Sequence, residues 1–303
     1  MKRILFIFID GVGIGSPGPH NPFTTLELPG WEALIGNQKW TEDYFVDRDE
    51  PTLVVKRIDA NLGVDGLPQS GTGQASLFSG VNCAKLAGRH YGPFPHSTSR
   101  PILLTQNMFI QCQSISGSQP PVFLNAFPKR FFEAAKKRDR WSTTTRCCLD
   151  AKMPLKTLLD LEAGRAIAAD LDGKGLRLVA GASVTTIDMD EAAKRMTSLS
   201  GKHSLSLFEY FLTDKAGHSE NPKEAKIVLG KLDQLFHGLL QHLDFDNTTL
   251  VITSDHGNIE DMSTKTHTNN PVPLIAMGAS ASYFKDVTDL TGVTPAIISA
   301  LQN

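Results

Sequence analysis

Residues 4–9, Ile-Leu-Phe-Ile-Phe-Ile, run without a polar break into Asp10. A strand with no polar face must be covered on both sides, which is the condition of a strand inside a parallel sheet flanked by helices. That run points to an α/β fold: a mainly parallel central sheet with helices on both faces. Further strands are expected at 52–58, 121–127, 205–212, 248–253 and 272–277. Helices are expected at 31–35, from about 75 to Gly80 after a turn at 68–74, from Ser99 or Arg100 to about 115, at 129–138, near 155–162, at 188–199 and at 294–301. The strongest helix signal begins at Asn221-Pro222-Lys223-Glu224, a capping residue followed by Pro in the first turn. Apolar residues then fall at 225, 228, 229, 232, 235, 236, 239, 240 and 243, a one-sided stripe. No repeat or composition break marks a linker, so residues 1–303 are expected to form a single domain.

Net charge is −2, which leaves no basic footprint for nucleic acid. Residues 4–9 follow Lys2 and Arg3 but fall short of the roughly 7–15 apolar residues of a secretory signal, and they end in an acid. No other stretch approaches the ~20 apolar residues of a membrane span. The cysteines (Cys83, Cys112, Cys147 and Cys148) form no C-x-x-C pair, which fits a reducing compartment. A cytoplasmic protein is expected, with no nucleic-acid or membrane partner.

Chemistry-bearing residues recur at the strand ends. Asp10 follows the first strand. Asp214 and His218 follow 205–212, Asp255 and His256 follow 248–253, and His267 lies just before 272. Ligands of open α/β sheets bind outside the carboxyl ends of the strands, so one site could collect all six. Taken singly, each has an ordinary explanation as turn or cap chemistry; the recurrence is what favours a metal site. Carboxylates mixed with imidazoles suit Zn²⁺ or Mn²⁺ better than Mg²⁺ or Ca²⁺. Six ligands exceed what one tetrahedral ion needs, so two divalent ions are implied. Such a pair, about 3.5–4 Å apart, can clamp both oxygens of a displacement at phosphorus. Ser70, in the small-residue turn Pro68-Gln69-Ser70-Gly71-Thr72-Gly73, is a candidate nucleophile at a helix N-terminus, with Thr72 as its competitor. The alternative of a glycine phosphate loop after residue 9 fits less well. Gly11-x-Gly13-x-Gly15 lacks the G-x-G-x-x-G spacing, Pro17, Pro19 and Pro22 oppose a helix there, and Asp10 would repel phosphate.

The ordered series Asp10-Gly11, Gly66-Leu67-Pro68…Ser70, Asp214-x-x-x-His218, Ser254-Asp255-His256-Gly257-Asn258 and His267-Thr268-x-Asn270-Pro271-Val272-Pro273 resembles the alkaline phosphatase superfamily. The resemblance is closest to the branch of cofactor-independent phosphoglycerate mutase and phosphopentomutase. It covers roughly residues 1–15, 60–90 and 205–303. It implies that Asp214, His218 and His267 hold one ion, and that Asp10, Asp255, His256 and the Ser70 oxygen hold the other. It also implies attack of the Ser70 oxygen on phosphorus, a phosphoserine, and transfer to water or back to substrate. The family's spacing from nucleophile to helix-ending glycine favours Ser70 over Thr72. The chain departs from the mutases, which typically read N-S-E-V-G-H around the nucleophile and insert a large second domain after it. Only about 120 residues separate Gly80 from 205 here, room for a small cap or lid within 85–185. Mutases need a closed pocket, so the expected activity is that of a metal-dependent phosphatase or phosphodiesterase on a small phosphate ester. A phosphomutase, or a non-catalytic metal-binding protein on the same fold, is the alternative. No Cys/Ser-x-Pro-x-Arg run surrounds Ser70, which argues against a sulfatase. Gly71 and Arg89 are the candidate substrate-binding residues, Arg89 through bidentate contact with phosphate or carboxylate.

Overall fold

The computed structural model describes residues 2–180 and 184–303. Ten strands occur among them: β1 (Arg3–Ile9), β2 (Arg48–Glu50), β3 (Leu53–Ile58), β4 (Val122–Phe123), β5 (Asn125–Phe127), β6 (Lys156–Thr157), β7 (Ile167–Ala168), β8 (Leu205–Tyr210), β9 (Thr248–Thr253) and β10 (Val272–Met277). Seven form the central sheet, in the order β2-β3-β10-β9-β1-β8-β4. β1 pairs in parallel with β8 and β9, and β4 extends the parallel set beside β8. β10 runs against both β9 and β3, so β3 points the same way as β1.

Burial follows the period of the strand. Leu5, Ile7 and Ile9 enter a core with Leu232 and Phe236 of the Pro222–His242 helix and Leu199 of the Met189–Ser200 helix. Ile4, Phe6 and Phe8 enter a second core with Phe78, Leu103 and Ile297 on the opposite face. Both sides of β1 are therefore covered, as its unbroken apolar run requires. The stripe of the Pro222–His242 helix faces the first core, and the Asn221 side chain caps its first turn by accepting from Lys223 N–H.

Several expected elements differ. The strand expected at 205–212 stops at Tyr210, and a helix begins at Leu212 and runs to Ser219. The helix expected from about 100 to 115 is two, Arg100–Gln106 and Met108–Gln113. Asn107 breaks it with an extended backbone, and its side chain caps the second helix by accepting from Phe109 and Ile110 N–H. The strand expected at 121–127 changes sheets at Leu124: β4 belongs to the central sheet, and β5 belongs to a separate sheet in the order β6-β5-β7. The Thr143–Asp150 and Lys174–Ala180 helices are not among the expected ones.

The topology collects the ends of the strands. β1, β8, β9 and β3 all finish at one edge of the sheet, and antiparallel β10 starts there, with Val272 opposite Ile58. Asp10, the Leu212–Ser219 helix, the 254–258 loop, the 267–271 segment and the approach to Ser70 therefore lie along the same edge. Among the described residues no helix is long and apolar enough to cross a membrane.

Candidate active site

Two groups of donor atoms meet at this edge. In the first, Asp214 and His218 stand one turn apart on the Leu212–Ser219 helix, with His218 Nε2 3.4 Å from Asp214 Oδ1. His267 Nε2 lies 3.5 Å from the same oxygen and 3.2 Å from His218 Nε2. In the second, His256 Nε2 lies 3.3 Å from Asp10 Oδ1, 3.6 Å from Asp255 Oδ2 and 3.0 Å from Ser70 Oγ. The His256 and His267 rings stack with centroids 3.7 Å apart, which joins the groups. Donor atoms of Asp214, His256 and His267 also lie within 4.8 Å of one another, as do those of Asp10, Asp255 and His256. His256 thus stands between both groups, and its nearest neighbours place it with Asp10 and Ser70.

The chemistry of this set fits cations. Nδ1 of His218 meets the Lys265 carbonyl at 2.6 Å, Nδ1 of His267 meets the Pro68 carbonyl at 2.6 Å, and Nδ1 of His256 meets the Gly257 carbonyl at 3.3 Å. A carbonyl only accepts, so Nδ1 carries a proton in each ring and Nε2 is the nitrogen left facing the cluster, the arrangement by which metal-ligating histidines are oriented. Nε2 of His218 and Nε2 of His267 then face each other, and Asp10 Oδ1 has no hydrogen-bond partner in its buried position. Separations of 3.0–3.6 Å match the edge of about 3.3 Å set by tetrahedral bonds of ~2.0–2.1 Å. Electrostatics agree. Burial, then the charge of Asp255, holds the Asp10 carboxyl well above its usual range, and burial raises Asp255. Burial alone would lower the pKa of His256, yet Asp255 and Asp10 outweigh it and push it up to about 10. Burial takes His267 down to about 4. Crowded buried carboxylates of this kind demand positive charge.

Ser70 opens the Ser70–Ser79 helix, which ends at Gly80 in the left-handed region (φ 77°). Its N-terminal N–H groups suit an anionic phosphoryl group. Thr72 turns the other way: its hydroxyl contacts the Gln69 and Tyr91 carbonyls and accepts from Tyr91 N–H. Gly71 packs against the 91–94 loop, where any side chain would overlap the Phe94 carbonyl. Arg89 lies over the Tyr91 ring and lines a separate cavity of about 470 Å³ with Asp65 and Gln69. It does not line the cavity of about 910 Å³ that contains Ser70, Asp10 and Asp214, whose cations are Arg130 and Lys215.

Sequence reasoning missed the braces. Gln74 Nε2 donates to Asp10 Oδ2 and Asp255 Oδ2, each at 3.1 Å, so one amide ties the two carboxylates. It sits four residues after Ser70, on the same face of the helix, which was the available signal. Asn258 Nδ2 donates to Asp214 Oδ1 at 2.6 Å. Glu260, buried, collects donors from three loops.

A sequence model described as the Metalloenzyme superfamily matches residues 2–302. The chain belongs to that superfamily. Relatives of this Metalloenzyme superfamily member include the 2,3-bisphosphoglycerate-independent phosphoglycerate mutases of Vibrio campbellii and Thermococcus kodakarensis. The first is 30% identical over 148 residues, 44% of this chain and 29% of the relative; the second is 28% identical over 43% of this chain and 33% of the relative. The matched stretch thus spans about a third or less of those proteins. Solved structures with a similar fold include a cold-active alkaline phosphatase from Shewanella sp. (TM-score 0.53, 14% identity, all of both chains covered) and Leishmania mexicana phosphoglycerate mutase (TM-score 0.53, 11% identity, 99% of this chain and 95% of that one). The expected fold and the expected kinship are both borne out.

Proposed function

We propose that this chain is a two-metal phosphoryl-transfer enzyme acting through Ser70, and that it hydrolyses a small phosphate ester. Asp214, His218 and His267 would hold one divalent ion, Zn²⁺ or Mn²⁺, and Asp10, Asp255, His256 and Ser70 the other. Bound there, the ions supply the positive charge that ionises a serine hydroxyl and neutralises phosphoryl oxygens. The chain does the rest. Ser70 Oγ, fixed at the head of its helix, forms a bond to phosphorus as the bond to the leaving alcohol breaks. Water then cleaves the phosphoserine and frees phosphate. Gln74 keeps Asp10 and Asp255 at a fixed spacing through both steps. We assign the lid expected within 85–185 to β5 with the Lys129–Arg138 and Lys174–Ala180 helices; the residues these three contribute to the cavity lining support that reading.

The observation that carries the reading is the 3.0 Å approach of Ser70 Oγ to His256 Nε2 beside Asp10. Water access favours hydrolysis over phosphomutase chemistry: the His218 side chain is 43% exposed, and a mutase must keep water from its phosphoenzyme. With Zn²⁺ or Mn²⁺ present, Ser70→Ala is expected to abolish release of p-nitrophenol from its phosphate ester and to remove the phosphoserine seen by mass spectrometry. Unchanged turnover in Ser70→Ala would refute the role of Ser70. Intramolecular transfer without phosphate release would select the phosphomutase.

A further inference from the structure

We infer that the site takes a phosphate ester of an apolar aryl or alkyl alcohol, rather than one whose alcohol carries a second negative charge. The inference rests on phosphoryl transfer at Ser70 and names the leaving group.

The cavity shared by Ser70, Asp10 and Asp214 measures about 910 Å³, at the upper end of the range for small-ligand sites. Its wall is apolar. Phe127 and Phe131 stack with centroids 4.2 Å apart and planes 23° apart, and Phe94 and Leu176 also line the cavity. Val179 and Phe211 complete the wall, and they are 43% and 41% exposed. Large apolar side chains left in water and gathered round one concavity mark a surface that is covered when a ligand binds. Aromatic faces at ring-stacking distance suit an aryl or alkyl group.

The charges point the same way. Apart from Asp10 and Asp214, the cavity is lined by two further acids, Asp170 and Glu209, both buried. Its two cations, Arg130 and Lys215, are exposed. A carboxylate or second phosphate on the alcohol would leave water to sit near the buried Asp170. Attraction from exposed cations is screened by solvent and salt and is weak. An apolar alcohol meets no such penalty and gains the aromatic wall. Burial supports this further by favouring a neutral Glu209, whose pKa rises to about 7. A neutral carboxyl is compatible with an apolar neighbour.

The test is calorimetric titration of the metal-loaded protein with methylphosphonate, benzylphosphonate and 2-carboxyethylphosphonate, with inorganic phosphate as reference. Benzylphosphonate should bind at least about tenfold more tightly than methylphosphonate, from the apolar area it buries. The carboxyethyl compound should bind no more tightly than methylphosphonate. In Phe131→Ala, and independently in Val179→Ser, the benzyl-to-methyl ratio should fall to about threefold or less. The methylphosphonate affinity of each variant reports that its site is intact. Equal affinities for benzyl and methyl compounds, or tightest binding of the carboxyethyl compound, would overturn the inference while leaving the Ser70 reading intact. Failure of every phosphonate and of phosphate to bind would overturn the Ser70 reading, and this inference with it.

Discussion

Glu260 offers the sharpest test of how the site is held. Its carboxylate is 1% exposed and accepts four hydrogen bonds. Oε2 accepts from Gly13 N–H and Asn258 N–H, both at 2.8 Å, and Oε1 accepts from the Thr268 hydroxyl at 2.5 Å and the Asn270 amide at 3.0 Å. One side chain thus joins the loop after β1, the loop after β9 and the segment before β10, which carry Asp10, Asp255, His256 and His267. Glu260→Gln keeps the shape and removes the charge and one acceptor. The remaining oxygen can serve the two backbone N–H groups, and the Thr268 hydroxyl can turn to accept from the new amide. The Asn270 amide then faces another donor. Charge-assisted bonds are roughly twice as strong as neutral ones, and an unpaired buried donor costs about 1–3 kcal/mol. Together these give a loss of about 2–4 kcal/mol, with the low end reached if the Asn270 amide flips. Urea unfolding followed by fluorescence should show that loss as a lower midpoint at an unchanged slope. Metal affinity should fall about 10–100-fold, the usual effect of removing a group that orients ligands. A midpoint shift worth less than about 0.5 kcal/mol, with wild-type metal affinity, would refute the claim that Glu260 fixes these loops.

Other consequences follow from the same geometry. Burial raises the Glu209 pKa from 4.5 to about 7, so the folded chain keeps a proton that the unfolded chain releases, and stability falls as pH rises from 4.5 to 7. Glu209→Gln should therefore gain about 3 kcal/mol relative to wild type between pH 4.5 and 8; a pH-independent difference in unfolding free energy would contradict this. Gly11 has φ 72°, and a Cβ there would meet the Asp214 backbone and side chain at 2.8 Å. Gly11→Ala should cost at least about 1 kcal/mol and weaken metal binding; unchanged thermal stability would show that the contact relaxes freely. Chelation should abolish ester hydrolysis, and added Zn²⁺ or Mn²⁺ should restore it at about two ions per chain. His218→Ala and Asp255→Asn should each reduce the bound metal, and full metal content with normal turnover in either would count against the assignment.

The chemistry of the candidate site was legible because it is written in residue types at strand ends. An unbroken apolar run needs two covered faces, which forces a parallel core, and a parallel core places the carboxyl ends of its strands together. Asp10, Asp214, Asp255 and His256 could be gathered on that argument alone. Local capping was legible for the same kind of reason: Asn221 and Gly80 act within a few residues of themselves. Asn107 was missed because its capping role competes with the helical pattern on either side of it.

What the sequence could not supply was everything that depends on distance through space. The reversal of β10 brings His267 to the shared edge, and no local pattern sets strand direction. The stacking of His256 on His267, the Gln74 brace and the four donors around Glu260 join residues up to about 250 positions apart. Gly71 adjoins Ser70 in the chain and Arg89 follows soon after its helix, yet the fold turned Arg89 to another cavity and packed Gly71 against the 91–94 loop, while Arg130, Lys215 and the aromatic wall arrived from elsewhere. Residue type and short-range order fix which chemistry a chain can perform; the tertiary fold fixes which side chains share one cavity, because only packing of distant segments sets those distances.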